Sequence, residues 1–191
     1  MVTKRPELKS QRLLLRLGTT EDIPAIVQYY QLNRVHLEPF EPQRPTNFYT
    51  HDFWQSVLAA RESEFRSGLA VKLLIFLQAD PNQPIGTINL NTIVRGALYG
   101  ATLGYSLSAQ HQGQGYMTEA GQRLIAYAFE ELNLHRMMAN YMPHNHRSAN
   151  VLKRLGFQIE GIARDYLFIN GQWQDHVLTS LINPDWQLTD L

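Results

Sequence analysis

Two glycines in the middle of the chain, Gly113 and Gly115, lie where an extended run gives way to a helix-forming run that begins at Tyr116. Glycine permits backbone conformations that a side chain disfavours, so a tight turn is predicted between a strand and a helix. The first backbone N–H groups of a helix have no partner within it, and the helix dipole adds positive potential there. We therefore expect the amides of residues 112–117 to bind a phosphate or a pyrophosphate.

The spacing of this turn separates it from two common phosphate loops. Gln110, Gly113 and Gly115 form a Gln-x-x-Gly-x-Gly pattern. No Gly-Lys-Ser/Thr follows it, as the loop of nucleotide hydrolases requires, and the third glycine of the dinucleotide fingerprint is missing. Because two neighbouring glycines also occur in ordinary turns, the rest of the chain has to decide between these interpretations.

Length and composition favour one domain with a sizeable core, which we expect to span residues 1–191. The 17 basic and 17 acidic residues balance, so we expect neither direct nucleic-acid binding nor binding to a membrane surface. The absence of cysteine excludes disulfides and a thiol nucleophile. The leucine run near the start is too short for a signal sequence or a membrane span, so the sequence predicts a cytoplasmic enzyme.

Hydrophobic periodicity predicts an α/β fold with a mixed sheet and helices on its faces. Three consecutive antiparallel strands precede the glycine turn, and the long helix after it lets the next strand run parallel to the third of them. Prolines make residues 34–50 irregular, and Asn170 followed by Gly171 predicts a type I′ hairpin turn. The predicted strands are residues 12–17, 70–78, 85–94, 98–107, 136–142, 157–163, 166–169 and 173–182. The predicted helices are residues 23–33, 51–67, 116–132 and 147–155, and a turn is expected at residues 80–84.

The glycine turn resembles the Gln/Arg-x-x-Gly-x-Gly/Ala signature of the GNAT acyl-CoA N-acetyltransferases, and the order of the predicted elements is similar to the GNAT fold from end to end. The resemblance implies a predominantly antiparallel sheet with one parallel pair that is splayed at the cofactor site. It also implies acetyl-CoA as the cosubstrate, with the turn wrapped around the pyrophosphate of coenzyme A.

Longer stretches are similar to the branch of that family that acetylates the N-termini of bacterial proteins. Residues 12–16 (Arg-Leu-Leu-Leu-Arg), Glu119 with Ala120, and residues 155–157 (Leu-Gly-Phe) carry that likeness. Residues 138–145 (Met-Ala-Asn-Tyr-Met-Pro-His-Asn), together with residues 94–96, 103–106, 135–136, 170–173 and 175–179, resemble its ribosomal-protein-alanine N-acetyltransferases. This resemblance implies that the acceptor is the N-terminal alanine of the fifth protein of the small ribosomal subunit, free or in a pre-ribosomal particle. A small-molecule amine as acceptor, or a ribosome-assembly binding factor with little turnover, stays open as an alternative.

The resemblance also assigns site residues. Where the parallel strands part, Ser106 and Leu107 are expected to bind the pantetheine arm and the thioester oxygen, at a bulge that family members usually have. At the start of the last helix, Asn145 is expected to bond a pantetheine amide, and Ser148 to bond or protonate the sulfur or only to cap the helix. Leu152 stands where many members carry a tyrosine acid. The turn residues expected to hold the pyrophosphate are Gln112, Gly113, Gln114, Gly115, Tyr116 and Met117.

The general base is the least defined part of the predicted chemistry. Glu119 is a candidate catalytic residue, although we favour a structural role in which it ties its helix to the neighbouring strand. An N-terminal amine has a pKa of about 8, so part of it is already deprotonated near neutral pH. A water relay then suffices as the base. The seven histidines show no strong metal-ligand spacing, and His144 and His146 form only a weak pair on a loop, so no metal is expected. The other carboxylates considered as the base, each expected to be solvated, are Glu38, Glu41, Glu160 and Asp165.

A monomer and a homodimer are both compatible with the sequence. The aromatic candidates for a peptide groove are Phe40, Phe48, Tyr49 and Tyr166.

Overall fold

The computed structural model describes residues 4–188, so the first and last three residues of the expected domain 1–191 lie outside the described part. The strands form one eight-stranded sheet. They are β1 (Glu7–Lys9), β2 (Leu13–Leu17), β3 (Val71–Leu77), β4 (Asp80–Val94), β5 (Gly100–Leu107), β6 (Arg136–Tyr141), β7 (Gln158–Ile169) and β8 (Gln172–Ile182). Their order across the sheet is β1-β2-β3-β4-β5-β6-β8-β7.

The α-helices cover both faces of this sheet. They are α1 (Ile23–Leu32), α2 (Arg34–Leu37), α3 (His51–Arg66), α4 (Tyr116–Ala126) and α5 (His146–Arg154). A π-helical turn, Tyr127–Glu131, extends α4, so the predicted helix over residues 116–132 is confirmed. Within the described chain, no helix is long and apolar enough to cross a membrane.

The middle of the sheet is buried on both faces. Side chains of a strand point alternately to opposite sides, and β3 shows this directly. Leu73 and Ile75 belong to the larger apolar cluster, which also contains the buried residues of α4. Leu74 and Phe76 belong to a second cluster, together with Trp54 of α3. The sheet is therefore a rigid layer between two helical layers.

One parallel pair interrupts the antiparallel sheet, as predicted. β5 and β6 pair only at Gly100 with Arg136, Ala101 with Met137, and Thr102 with Met138. Beyond that point β5 continues to Leu107 and β6 to Tyr141 without pairing to each other. The mixed, mainly antiparallel α/β class with a splayed parallel pair is confirmed.

The bulge expected at Ser106 and Leu107 is a wrong prediction. The pairing of β5 with β4 runs in regular register from Thr102 to Leu107, and its irregularity lies between Asn91 and Val94 instead. The gap beside β5 therefore arises from the departure of β6 alone.

Two predicted irregular segments are partly regular. Residues 34–50 contain α2 and a 3₁₀ turn, Glu38–Phe40, because the first proline is Pro39 and a proline is tolerated at the start of a helical turn. The turn expected at residues 80–84 belongs to β4, which bulges where Phe76 pairs with Pro84 and Leu77 with Asp80. Prolines lack the ladder N–H and are accommodated at such bulges.

The C-terminal hairpin also differs in detail from the prediction. Residues 157–163 and 166–169 form one strand, β7, with a register shift between Ala163 and Leu167 rather than a break. The hairpin turn is confirmed, since Asn170 has a φ of 45° and Gly171 a φ of 79°, the positive pair that a type I′ turn requires. The short edge strand β1 carried no periodicity signal and was not predicted.

Candidate active site

A cleft of about 1030 Å³ opens where β5 and β6 separate, between the glycine turn and α5. Its volume lies at the upper end of the roughly 300–1,000 Å³ typical of ligand pockets. All the predicted site residues except Gln114 line it, namely Ser106, Leu107, Gln112, Gly113, Gly115, Tyr116, Met117, Glu119, Asn145 and Ser148. The structure thus gathers two segments of sequence, residues 106–119 and 145–148, around one cavity.

The glycine turn presents free amides to this cleft. Gly113 has a φ of 75° and Gly115 a φ of 80°, and α4 begins directly after them without a side-chain cap. Among residues 4–188, no acceptor is found for the backbone amides of residues 113–118. The amide of Gln112 is already bonded, at 3.4 Å from the oxygen of Ala109. A row of unpartnered amides at a helix N-terminus is suited to an anion such as a diphosphate.

Arg12, immediately before β2, holds the turn in shape. Its Nη1 donates to the carbonyl oxygen of Gln114 at 3.1 Å, and its guanidinium carbon lies 4.4 Å from the centre of the Tyr116 ring. Gln114 directs its side chain to the oxygen of Gln110 at 3.1 Å and stays outside the cleft lining. The carbonyl of Gln114 therefore points towards Arg12 while the amides beyond it stay free.

Glu119 holds Arg12 in place through hydrogen bonds. Its carboxylate accepts hydrogen bonds from the Oγ of Ser10 at 2.8 Å, from the backbone N of Arg12 at 2.7 Å and from the Nε of Arg12 at 2.7 Å. Burial raises the pKa of Glu119, but these hydrogen bonds outweigh it and hold the pKa below its usual value. Every contact ties α4 to β2 and the segment before it, which is the structural role that the sequence favoured.

The other side of the turn is fastened to α1 and α2. Asn33 Oδ1 accepts a hydrogen bond from the amide of Ala109 at 2.9 Å, and the Nε2 atoms of Gln112 and His36 lie 2.9 Å apart. The Gln112 side chain, predicted as a cofactor contact, is thus engaged with α2 at the edge of the cleft. Elements on both faces of the sheet fix the turn before any ligand enters.

The side chain of Ser106, near the end of β5, is engaged within the protein. The Oγ of Ser106 lies 3.0 Å from Tyr29 Oη and 3.0 Å from Thr87 Oγ1, on the α1 side of the sheet. A Cβ on Gly86 would lie 2.4 Å from the Ser106 carbonyl oxygen, so β4 can approach β5 here only with glycine.

Backbone groups along a strand alternate between its two edges, and the Ser108 amide donates to the Ile85 oxygen on β4. The backbone groups of Ser106 therefore also point to β4, and those of Leu107 point into the gap. The Ser106 hydroxyl is also used within the protein, so of these two residues it is Leu107 that offers backbone groups to a ligand, and the expected backbone contact from Ser106 is wrong.

The start of α5 places a hydroxyl and an amide in the cleft. Asn145 caps this helix, since its Oδ1 accepts the amide of Ser148 at 3.1 Å. Capping is therefore carried out by Asn145, and the Ser148 hydroxyl lies instead 2.8 Å from Tyr105 Oη. Leu152, where many relatives carry a tyrosine, is only 1% exposed and packs in the core.

Positive charge lines the α4–α5 wall of the cleft. Arg123, Arg147 and Arg154 all contribute to it. In the described chain neither Arg147 nor Arg154 has a carboxylate within salt-bridge distance, and Arg123 reaches Glu131 only at 3.7 Å. This wall is therefore electrostatically suited to further phosphate.

The opposite end of the cleft is formed by the segment after α2. Phe40 and Glu41 line it, and the Glu41 carboxylate accepts Arg44 Nη2 at 2.7 Å. The carbonyl of Glu41 also accepts the amide of Asn170 at 3.0 Å, which joins this segment to the turn of the β7–β8 hairpin. The expectation that Glu41 is a solvated surface charge is wrong, because the loop folds inward onto the cleft.

The remaining carboxylate candidates do not line the cleft. Glu38 pairs with Arg34 at 2.6 Å, Glu160 pairs with Arg136, and Asp175 Oδ1 bonds the amide of Asp165. Within residues 4–188, no three histidine, aspartate or glutamate side chains are grouped as metal ligands.

No role was predicted for Tyr105 or Arg12, and Glu41 was considered only as a solvated carboxylate. Tyr105 and Arg12 both lie within stretches that resemble the family, and Tyr105 directly precedes Ser106, which received a role, so their presence near the site was detectable. Their partners were not, because the contacts join positions about 40 to 110 residues apart and depend on the tertiary fold.

The family profile described as an acetyltransferase (GNAT) domain matches residues 12–158. The chain belongs to the GNAT acetyltransferases, a family whose members take their acetyl group from acetyl-CoA. The resemblance seen in the sequence is thereby confirmed.

Individual members of the family are similar to the chain over most of its length. The chain is 42% identical over 179 residues to the [ribosomal protein uS5]-alanine N-acetyltransferase of Escherichia coli strain K12, covering 94% of this chain and 92% of that one. The crystal structure of the ribosomal-protein-S5-alanine acetyltransferase from Vibrio fischeri is similar, with a TM-score of 0.90, 38% identity, and coverage of 96% of this chain and 100% of that one. Mycobacterium smegmatis RimJ in complex with CoA-disulfide has a TM-score of 0.85 at 27% identity, covering 93% of this chain and 86% of that one.

Proposed function

We propose that the chain transfers an acetyl group from acetyl-CoA to the α-amine of a protein N-terminus, with the N-terminal alanine of ribosomal protein uS5 as the first acceptor. The observation that carries this proposal is the row of free amides over residues 113–118 at the edge of a cleft that also contains Ser148. The likeness to uS5-alanine acetyltransferases over more than nine-tenths of the chain supports the choice of acceptor.

Successive parts of acetyl-CoA contact different groups of cleft residues. The amides of residues 113–118 take the diphosphate, and Arg123, Arg147 and Arg154 take the remaining phosphate. The backbone of β5 beyond Thr102, left without a partner by β6, binds the amide-containing pantetheine arm as an added strand would. Asn145 keeps the donors of its side-chain amide for the same arm, because its capping contact uses only Oδ1.

Acetyl-CoA supplies a thioester whose carbonyl carbon is attacked by the neutral amine. A terminal amine with a pKa of about 8 is partly neutral at pH 7, so water can remove its proton. The free backbone N–H of Leu107, which faces the gap, stabilises the developing oxyanion. Ser148, on the facing helix, protonates the leaving thiolate. Glu119 acts on this chemistry only through Arg12 and the shape of the turn.

The charge of the cleft favours a peptide over a small polycation. An acceptor such as a polyamine requires several unpaired carboxylates, whereas both lining carboxylates, Glu41 and Glu119, are already paired with arginine. The acceptor terminus enters at the end formed by Phe40 and Glu41, which the amide of Asn170 joins to the β7–β8 turn. Intact amide, asparagine and serine contacts favour turnover over a purely binding role on the ribosome. We further propose that the chain is one domain and acts in the cytoplasm, where nascent ribosomal proteins are available.

Mass spectrometry of acceptors tests the proposal directly. The purified chain and acetyl-CoA are incubated with a peptide of the uS5 N-terminus, the same peptide with its α-amine blocked, and spermidine. We expect one acetyl group on the free peptide and none on the blocked one. Preferential acetylation of spermidine would replace the proposed acceptor class, and normal uS5 acetylation in cells lacking this chain would exclude uS5 as its acceptor.

A further inference from the structure

A phenol and a serine hydroxyl meet across the gap of the sheet. The Oη of Tyr105 and the Oγ of Ser148 are 2.8 Å apart, although the residues are 43 positions apart in sequence. Tyr105 lies on β5 beyond Thr102, where the parallel pairing ends, and Ser148 lies in the first turn of α5. Both side chains line the cleft. The contact therefore spans the place where β5 and β6 diverge.

Either hydroxyl can donate in the 2.8 Å contact, and we take Tyr105 as the donor. Tyr105 has a single hydroxyl proton, and its two candidate acceptors are the Ser148 Oγ at 2.8 Å and the Ser148 carbonyl oxygen at 3.3 Å. The shorter contact is the stronger hydrogen bond. Burial raises the pKa of Tyr105 to about 12, so the phenol keeps its proton at neutral pH and remains a donor. While Tyr105 donates to the Oγ, the proton of Ser148 is free to point into the cleft.

We propose that Tyr105 is a positioning residue for the acetyl transfer, which aims the Ser148 proton at the leaving sulfur and replaces it as it departs. This inference rests on the proposed function. The new N–C bond forms and the C–S bond breaks, the thiolate takes the Ser148 proton, and the Tyr105 proton moves onto the Ser148 Oγ. Water in the cleft, which received the proton lost by the amine, restores the phenol, so that protons and electrons balance.

The arrangement explains how a phenol reaches the site although α5 carries none at the family's usual position. Leu152 fills that position with an apolar, fully buried side chain. Tyr105 brings its hydroxyl from the opposite wall, on a strand that is paired to β4 on its other edge. A hydroxyl that accepts a hydrogen bond becomes a better donor itself, which is the gain expected for Ser148.

Replacing Tyr105 by phenylalanine removes one oxygen and keeps the ring. We expect Tyr105→Phe to lower kcat by about tenfold, as part of a general-acid contribution of roughly 10²-fold, with unchanged KM values for acetyl-CoA and peptide. The matched control is Tyr127→Phe. Tyr127 is 2% exposed, its pKa is likewise raised to about 12, and its hydroxyl has no hydrogen-bond partner among the described residues. The control should retain wild-type kcat.

A double-mutant cycle separates positioning from packing. If Tyr105 acts through Ser148, then Tyr105→Phe has no further effect on kcat in a Ser148→Ala background. A tyrosine that only supports the fold would instead lower kcat by the same factor in both backgrounds, or lower thermal stability alone. Either of those results, or a Tyr105→Phe enzyme with wild-type kcat, overturns the inference.

Thiol release provides a readout that does not depend on the acceptor. The chain contains no cysteine, so a chromogenic disulfide reports only the free thiol of CoA. If the wild type acetylates none of the peptides, the proposed acceptor is wrong, and the same cycle is measured on the slow hydrolysis of acetyl-CoA. Thiolate departure is common to both reactions, so we expect the same non-additive pattern. An additive pattern there would also overturn the inference.

Discussion

Glu119 Oε2 accepts a hydrogen bond from Arg12 Nε at 2.7 Å, a contact between residues that are 107 positions apart. The same guanidinium bonds the carbonyl of Gln114 in the glycine turn. The carboxylate is 14% exposed and fully engaged, so the pair forms a fixed connection between the segment just before β2 and the first turn of α4. The shape of the phosphate-binding turn depends on this connection.

Replacing Glu119 by glutamine tests whether the carboxylate positions or catalyses. We expect Glu119→Gln to raise the KM for acetyl-CoA by about tenfold, since a charge-assisted hydrogen bond contributes roughly 1.5 kcal/mol, and to leave kcat nearly unchanged. Initial rates at varied acetyl-CoA measure this. Glu160→Gln, which disrupts a carboxylate–arginine pair outside the cleft, is the control. A collapse of kcat at constant KM would instead identify Glu119 as the catalytic base.

Gly115 tests the turn itself. An alanine at its φ of 80° costs about 1–2 kcal/mol of backbone strain, and relief of that strain reorients the amides around it. We expect Gly115→Ala to raise the KM for acetyl-CoA by roughly tenfold or more. Gly68 has a φ of 70° at the end of α3, so Gly68→Ala carries a similar strain away from the cleft. Equal KM values in the two variants would contradict a role for the turn in binding.

Ser148→Ala tests the proton donor. We expect kcat at saturating acetyl-CoA to fall by about 10²-fold, while the free energy of unfolding drops by only about 1 kcal/mol for one lost hydrogen bond. The helix cap survives because Asn145 provides it. Ser56→Ala, which removes one hydrogen bond to the Asp52 carbonyl in α3, controls for the stability loss. If turnover in Ser148→Ala equals that of the control, the serine is not the acid.

Local signals made most of the fold predictable. The positive φ values at Gly113, Gly115 and Gly171 are conformations that favour glycine, so the glycines themselves pointed to the turns. The parallel pairing of β5 with β6 followed from the long helix between them. The bulge at Ser106 was expected from the family rather than from any residue, and that expectation failed.

The tertiary contacts of the site could not be predicted in the same way. The contact of Tyr105 with Ser148 requires the relative placement of a strand and a distant helix, which periodicity does not supply. Glu41 looked solvated because its segment contains prolines and charges. It is half-buried because Arg44 and the amide of Asn170 hold that segment against the cleft.

Asp22 gives the fold a defined acid sensitivity. Burial raises its pKa, but a bidentate pair with Arg16 at 2.7 and 2.8 Å and the bonds from Thr19 hold the pKa below its usual value. A carboxyl whose folded pKa is depressed stabilises the protein above its unfolded pKa of about 4, and this stability is lost as pH falls through the folded pKa. We expect Asp22→Asn to lose stability at pH 7 and to show a flatter dependence of unfolding free energy on pH below 4.

Denaturant titrations between pH 2 and 7 measure that dependence. Asp52 is the matched control, because its side chain is 99% exposed and its replacement by asparagine should preserve the wild-type slope. If the unfolding free energy of Asp22→Asn depends on pH below 4 as that of the wild type does, other carboxylates cause the loss of stability in acid.

Glu41 tests where the acceptor enters. One carboxylate oxygen, Oε2, is bonded to Arg44, and Oε1 is left for the acceptor's ammonium group. We expect Glu41→Gln to raise the KM for the peptide on the order of tenfold, the effect of one charge-assisted contact, without changing the KM for acetyl-CoA. Glu38→Gln removes a carboxylate from the same segment outside the cleft and should change neither value. A loss of kcat with constant peptide KM would make Glu41 the base, and identical behaviour of both variants would place amine entry elsewhere.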